Sequence, residues 1–288
     1  MNQHTGTVPL GQATDRLDRA LAALAGVSRG QARRWVDAGA VFVDGKRCRV
    51  SSRPIQGGAR LAWTPGADTL PVGPPATWRY RDELLAVVDK PAGMPTDATT
   101  ASVRGTLRAW LEAEGCAHVG LPHRLDHETT GLILVSLHPS MDRVLSEYVL
   151  ERRIVRTYHA VLAGSLPGDG GSWAHTLVQR DGRRVAAPPD RGGPQMRSRW
   201  ARIGGGADVT WVALTLETGR THQLRLQAAA EGAPIVGDRL YGRPHPAGLH
   251  LQAARLDVPH PATGETISIV APAAPWLRDD ARAPTTTP

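Results

Sequence analysis

Lysine is almost missing from this sequence. Lys46 and Lys90 are the only two, so a formal charge of +7 over 288 residues rests on arginine. A basic chain suits a polyanionic partner, most economically nucleic acid, and arginine adds bidentate phosphate contacts and stacking on bases. An Arg- and Ala-rich composition is also what genome base bias produces, so charge by itself settles no function. Cysteine is equally scarce: Cys48 and Cys116 lie far apart, which leaves no disulfide framework and no CxxC metal pattern. Long apolar runs are missing too, none approaching the roughly 20 residues of a membrane span. Met1 to Thr14 has neither the basic start nor the apolar core of a secretory signal. We therefore expect a cytoplasmic protein with no membrane partner. No GxGxxG opens a helix after a strand, which argues against a doubly wound dinucleotide-binding fold. The length admits one large domain, or one domain and a small module.

Residues 1–13 are polar and without a period, and are expected to form a disordered tail. Beyond them Leu17, Ala20, Leu21 and Leu24 recur at helical spacing up to Gly26. Ser28 is placed to cap a second helix, Arg29 to Ala38, which Gly39 stops. Val41 and Val43 then share one face of a strand, and Asp44-Gly45 is a hairpin signal before Lys46-Arg47-Cys48. Two short helices and a hairpin make a small α+β module over 14–64. Arg29, Arg33 and Arg34 crowd its second helix and Lys46 its hairpin. Such a face either positions a phosphate backbone without reading sequence or is simply solvated. Pro and Gly without a period mark 65–78 as a linker.

The larger domain is expected over 79–278. Leu84 to Val88 is an apolar strand ending in Asp89-Lys90-Pro91, and Leu107, Trp110 and Leu111 predict a helix that ends near Gly115. Met141, Val144, Leu145, Tyr148 and Val149 fall at i, i+3, i+4, i+7 and i+8, an amphipathic helix within 140–152. Strands are expected at Ile154 to Leu162, Val209 to Glu217, Ala253 to Val258 and Glu265 to Val270, and a helix at Thr221 to Glu231. Trp173 to Pro189 reads as irregular β structure with a basic tip, Arg180 to Arg184. The class is α/β of the α+β type, with a mixed, largely antiparallel sheet. Residues 279–288 are a polar tail, also expected to be disordered.

The stretch richest in chemistry is HRLDHETTGLILVS, His123 to Ser136. A polar loop carrying Arg124, Asp126, His123 and His127 runs through Gly131 into a short apolar strand, and loops held by rigid strands are where chemistry tends to sit. From the residue types alone, Arg124 and Asp126 serve equally well as a structural ion pair. A metal site is the other reading of His123, Asp126, His127 and His222. The HExxH pattern fails, however, because Gly131 stands where the second histidine belongs.

HRLDHETTG resembles the central motif of the RNA pseudouridine synthases, in the RluA-like branch of dual-specificity and large-subunit ribosomal enzymes. Three further segments keep the family order: LAVVDKPAGMPT (Leu85 to Thr96), RTYHAVLAG (Arg156 to Gly164) and LETGRTHQLRLQAAAEGAPIVGDRLYG (Leu216 to Gly242). The segment RLDRALAALAGVSRGQARRWVDAGAVFVDGKRC resembles the S4 RNA-binding module. The resemblance implies the pseudouridine synthase fold behind an S4-like module, and isomerisation of uridines in structured RNA, ribosomal in preference to transfer RNA. It implies Asp126 as the catalytic carboxylate, Arg225 as its cationic partner and Tyr158 as the aromatic that stacks on the uracil. Arg124 would enter the RNA stack, and Arg29, Arg33, Arg34 and Lys46 would contact RNA. No cofactor and no metal are implied, and a monomer is expected. The family has a histidine soon after KPAG where this chain has Thr96-Asp97, so no role is carried onto that loop. The alternative is an S4-type RNA-binding or ribosome-assembly factor whose synthase domain is catalytically silent.

Overall fold

The computed structural model describes residues 2–11, 14–69, 74–99, 103–206 and 208–279. Parts of the expected linker (70–73) and of the C-terminal tail (280–288) therefore lie outside the described residues. The chain forms two compact units, Met1–Pro74 with Met94–Gly115, and Pro75–Gly93 with Cys116–Pro288.

The first unit opens with β1 (His4–Thr7), which corrects the expectation of a disordered tail. Four residues are too few to show a period, and what orders them is distant: they pair antiparallel with β6 (Arg60–Trp63), His4 opposite Trp63. After β2 (Asp15–Arg16), α1 (Leu17–Ala25) buries Leu17, Ala20 and Leu21 and ends at Gly26 in the left-handed conformation. The Gln31 amide donates to Ser28 Oγ at the start of α2 (Arg29–Asp37). Asp44 and Gly45 both take positive φ, which joins β3 (Val41–Val43) to β4 (Lys46–Arg47) in the expected hairpin. β5 (Pro54–Ile55) pairs with β2, and β1-β6-β3-β4 form the module's sheet. Its core gathers Leu17, Leu21, Trp35, Val36, Val41, Leu61 and Trp63.

The sequence reading placed 94–115 in the larger domain, whereas in the structure this segment belongs to the first unit. The Val103 amide donates to the Ala38 carbonyl at 3.0 Å, and Arg47 and Arg104 donate to the carbonyls of Thr99 and Asp68. Thr106 then caps α3 (Leu107–Ala113), which buries Leu107 and Leu111. These contacts join residues more than 30 positions apart, so no local pattern announces them.

Among the described residues, the second unit is built on ten strands. They are β7 (Thr77–Arg81), β8 (Leu85–Lys90), β9 (Thr130–Ser136), β10 (Val155–Ala163), β11 (Gly170–Arg180), β12 (Arg183–Ala187), β13 (Gln195–Gly205), β14 (Val209–Leu216), β15 (Leu251–Pro259) and β16 (Thr266–Val270). The order is β12-β11-β13-β14-β10-β15-β9-β8-β7, with β16 also on β15. β9 and β15 run parallel and the other pairs antiparallel. β11 and β12 form a regular hairpin from Thr176–Ala187 to Arg180–Arg183, where the sequence suggested irregular structure. Leu132, Ile133, Leu134 and Val135 are all buried, as a strand covered on both faces requires. On one face α4 (Pro139–Leu150) packs Leu145, Met141 and Tyr148 against Leu85, Val87, Leu132 and Leu256. Each such side chain contributes about 1.5–3 kcal/mol. α5 (Gln223–Ala230) and α6 (Pro275–Asp279) complete the unit.

Gly131 sets how β9 enters the sheet. It has φ +105°, and a Cβ there would stand 2.2 Å from the Ala253 carbonyl oxygen and 2.7 Å from the Ala253 nitrogen. Only glycine fits both the backbone angle and this close approach. Gly131→Ala should destabilise the protein by about 3 kcal/mol or more, combining backbone strain and overpacking. Urea unfolding reads the loss, and an unchanged midpoint would show that β9 and β15 do not meet in this register.

Candidate active site

The loop before β9 is fixed from both sides. Leu134 donates its amide to His123 Nε2 at 3.1 Å, Gly93 donates to the His127 carbonyl at 2.8 Å, and Thr129 donates to the Asp126 carbonyl at 3.2 Å. Lys90, fully buried at the end of β8, places Nζ 2.9 Å from the Pro91 carbonyl and 3.5 Å from that of His127. Burial pushes the Lys90 ammonium down to about 7, against the pull of the Asp126 and Asp89 charges. The loop thus holds Asp126 rigidly at 17 % side-chain exposure.

Arg225 approaches from α5. Its Nη1 lies 3.4 Å from Asp126 Oδ2, a single long contact. Its main partner is Asp238, reached by two 2.7 Å hydrogen bonds from Nε and Nη2, with Arg225 3 % and Asp238 0 % exposed. Asp238 Oδ1 also accepts the amides of Leu240 and Tyr241. Burial raises the Asp238 carboxyl, yet the Arg225 bonds and charge and these two amides outweigh it and hold the group below its ordinary range. Burial likewise weakens the Arg225 charge, while Asp238 and then Asp126 more than restore it. The guanidinium is therefore a fixed cation before any substrate arrives.

His222 stands at the N-terminus of α5 in the left-handed conformation, φ 56°. Its Nε2 lies 3.8 Å from Asp126 Oδ1, and its Nδ1 lies 2.9 Å from the Tyr241 hydroxyl. Burial foremost, then the Arg225 and Arg184 charges, lowers the imidazole pKa against the pull of Asp126 and Asp238. The Tyr241 ring sits 5.3 Å from the guanidinium carbon of Arg225.

Of the residues singled out from sequence, Asp126 and Arg225 come together. Tyr158 lies buried on β10 opposite Ala253, which in turn is opposite Gly131, so β15 alone separates its strand from β9. Burial raises the Tyr158 hydroxyl above its usual value, with the Arg156 charge opposing and the Asp126 charge adding. Arg124 is exposed on the Asp126 loop. In the first unit, Arg29 pairs with the buried Asp18 at 3.1 Å, Arg34 with Asp68 at 3.2 Å and Arg33 with Asp37 at 3.8 Å, while Lys46 is exposed. Asp238, Lys90 and Tyr241 were not assigned to the site from sequence, and His222 was set beside Asp126 only as a candidate metal ligand. The signal was present in the turn Gly237 to Gly242, quoted as a motif but given no role.

Comparison with known proteins bears on this geometry. The family model of RNA pseudouridylate synthases matches residues 84–230, and that of the S4 domain matches residues 15–61. Ribosomal large subunit pseudouridine synthase D of Neisseria meningitidis is 32 % identical, over 92 % of this chain and 78 % of that protein. An RNA pseudouridine synthase of Chloroflexus aurantiacus is 35 % identical, over 92 % of this chain and 88 % of its own length. The solved structure of human RNA pseudouridylate synthase domain containing 1 superposes with a TM-score of 0.60 at 24 % identity, covering 70 % of this chain and 86 % of that one, a likeness of fold.

Two outcomes test the site. Asp238→Ala should cost about 3–5 kcal/mol, because it leaves a buried guanidinium without its partner, whereas Asp126→Asn should cost far less; equal losses in urea unfolding would refute this division. Lys90 gives a pH signature. Its folded value of about 7 lies below the ordinary 10.5, so between those values the unfolded chain binds a proton that the folded chain releases. Stability attributable to Lys90 therefore rises with pH across that window. The difference between wild type and Lys90→Met, measured from pH 7 to 10, should show that rise; a constant difference would mean that Lys90 is not desolvated.

Proposed function

The chain belongs to the RNA pseudouridylate synthase family, and on that premise we propose how its residues convert uridine to pseudouridine. The reaction breaks the bond between N1 and C1′, turns the uracil and joins C5 to C1′, with the C5 proton lost and N1 gaining one, so that the product is an isomer. Nothing is oxidised or reduced, so the chemistry calls for no redox cofactor. An anionic group must face C1′ as positive charge develops there, as in retaining glycoside hydrolysis. Asp126 takes that role. The observation that carries the reading is its setting: a carboxylate held by one long contact from an arginine that is locked elsewhere keeps its lone pairs free for substrate.

Tyr158 is proposed to stack on the uracil, its hydroxyl kept protonated by burial and so able to give a proton. A target base within structured RNA must leave its stack, a step of a few kcal/mol, and Arg124, exposed beside Asp126, is proposed to fill the gap. The S4 unit is proposed to supply phosphate contacts through Arg29, Arg33, Arg34 and Lys46. The name of the Neisseria meningitidis relative favours ribosomal over transfer RNA as the substrate. No described helix is long and apolar enough to cross a membrane, and we propose a cytoplasmic monomer.

Asp126→Asn should abolish pseudouridine formation, while thermal unfolding and RNA affinity stay close to wild type. Pseudouridine mapping of RNA treated with each protein reads the outcome, and turnover by a clean preparation of that variant would sink the assignment. Wild-type protein that converts no uridine in total RNA would favour a silent RNA-binding factor instead.

A further inference from the structure

Arg156 stands two residues before Tyr158 on β10, so the pleat turns both side chains to the same face. Its guanidinium lies against Gly219, with Nη1 and Nη2 each 3.6 Å from where a Cβ would stand. Gly219 belongs to the turn that leads through His222 into α5, so Arg156 borders the site. The residue is half-buried, and its Nε is fully buried without a hydrogen-bond partner. No carboxylate pairs with the side chain among the described residues.

Its neighbourhood offers donors. Because the Leu134 amide donates to His123 Nε2, the proton of that neutral ring sits on Nδ1, and this buried N–H is also without a partner. Burial first and then the Arg156 charge push His123 down to about 3. The two carboxylates of the site, Asp126 and Asp238, both bind Arg225 instead. A half-buried guanidinium with no carboxylate beside it keeps its donors for an anion. RNA brings one with every nucleotide, and the arginine fork matches a phosphate with two parallel bonds.

We propose that Arg156 is a phosphate seat for the substrate: its guanidinium takes a phosphodiester adjoining the target uridine and holds that nucleotide by its backbone while Asp126 faces C1′. The proposal rests on the synthase reading and adds to it a substrate-binding residue and the chemical group it binds.

The test uses the full-length chain and a short RNA stem-loop carrying a uridine that the wild type converts. Companion RNAs carry a single uncharged methylphosphonate 5′ or 3′ of that uridine, with a 2′-O-methyl group on the modified linkage. Arg156→Met should weaken binding and raise KM about tenfold, with a smaller effect on the single-turnover rate at saturating enzyme. It should flatten the dependence of log Kd on log salt by roughly 0.7, the loss of one single-strand phosphate contact. Arg156→Lys, which keeps the charge, should keep most of that slope. One of the two methylphosphonates should weaken wild-type binding about as much as Arg156→Met does, and should add little in that variant. Wild-type binding unchanged by either methylphosphonate would overturn the proposal without recourse to any variant. A folded Arg156→Met protein with the wild-type salt slope would overturn it as well. Conversion of the unmodified stem-loop by the wild type keeps the synthase reading intact in both cases, so the two failures are distinguishable.

Discussion

The site hangs on the buried pair between Arg225 and Asp238. Such a pair contributes little net stability against the cost of desolvating both charges, yet losing either partner is costly, so it fixes geometry. Asp238 gathers the amides of Leu240 and Tyr241 together with the guanidinium, which ties α5 to the turn Gly237 to Gly242. That turn closes against its neighbour so tightly that a Cβ on Gly237, at φ +81°, would stand 1.7 Å from the Gly248 carbonyl oxygen. Tyr241 is thereby set beside Arg225, and its hydroxyl steadies His222. The rest of α5 is held in the same manner. Gln227 bonds Ser198 and the carbonyls of Trp173 and Met196, and Gln223 bonds Thr218, Arg220 and the Arg197 carbonyl.

That helix also shows where reading the sequence stops. HRLDHETTG was legible as a loop feeding a buried strand because its signals are local: polar residues, a glycine, then four apolar residues. α5 was expected as a helix, but it buries Gln223, Arg225 and Gln227 together with Leu224, Leu226 and Ala228, so hydrophobic periodicity cannot tell which of its side chains meet the site. Asp238 lies 13 residues beyond Arg225, and apart from its place in the turn motif Gly237 to Gly242 nothing local distinguishes it from a solvated turn aspartate. Lys90 is similar: a lysine after an apolar strand reads as a solvent-facing cap, and only the return of the chain at His127, 37 residues later, encloses it. The placement of 94–115 in the first unit has the same cause.

Arginines of the first unit also hold its fold. Asp18, 1 % exposed, binds both Arg16 and Arg29, and its carboxyl is held below the ordinary range by the Arg16 hydrogen bond first, against burial. Arg34 is tied to the nearly buried Asp68. Crowded basic residues on one short helix read equally well as a phosphate-binding face or as structure, and here Arg29 and Arg34 are structural at least at one nitrogen. Arg33 differs, since its contact with Asp37 is a long, exposed pair of a kind that contributes little to stability. Arg33 and the exposed Lys46 therefore carry charge that RNA can claim at small cost to the fold.

Two aspartates share one arginine, and their surroundings divide their roles. Asp238 accepts four hydrogen bonds between 2.7 and 3.1 Å and is closed to solvent. Its lone pairs are engaged, its charge is neutralised, and it has nothing left to offer a substrate. Asp126 accepts one bond of 3.4 Å from the same guanidinium, faces the imidazole of His222 at 3.8 Å and stays partly open. A carboxylate bound as tightly as Asp238 would be a poor nucleophile, and one with no cation nearby would take up a proton on losing water. Sharing Arg225 unequally leaves Asp126 its lone pairs, because the strong bonds to Asp238 hold the cation still and leave Asp126 only its field and one weak contact. The chemistry that sets two like groups apart is the difference in donors around them, and in this chain that difference is set by which carboxylate α5 and its following turn enclose.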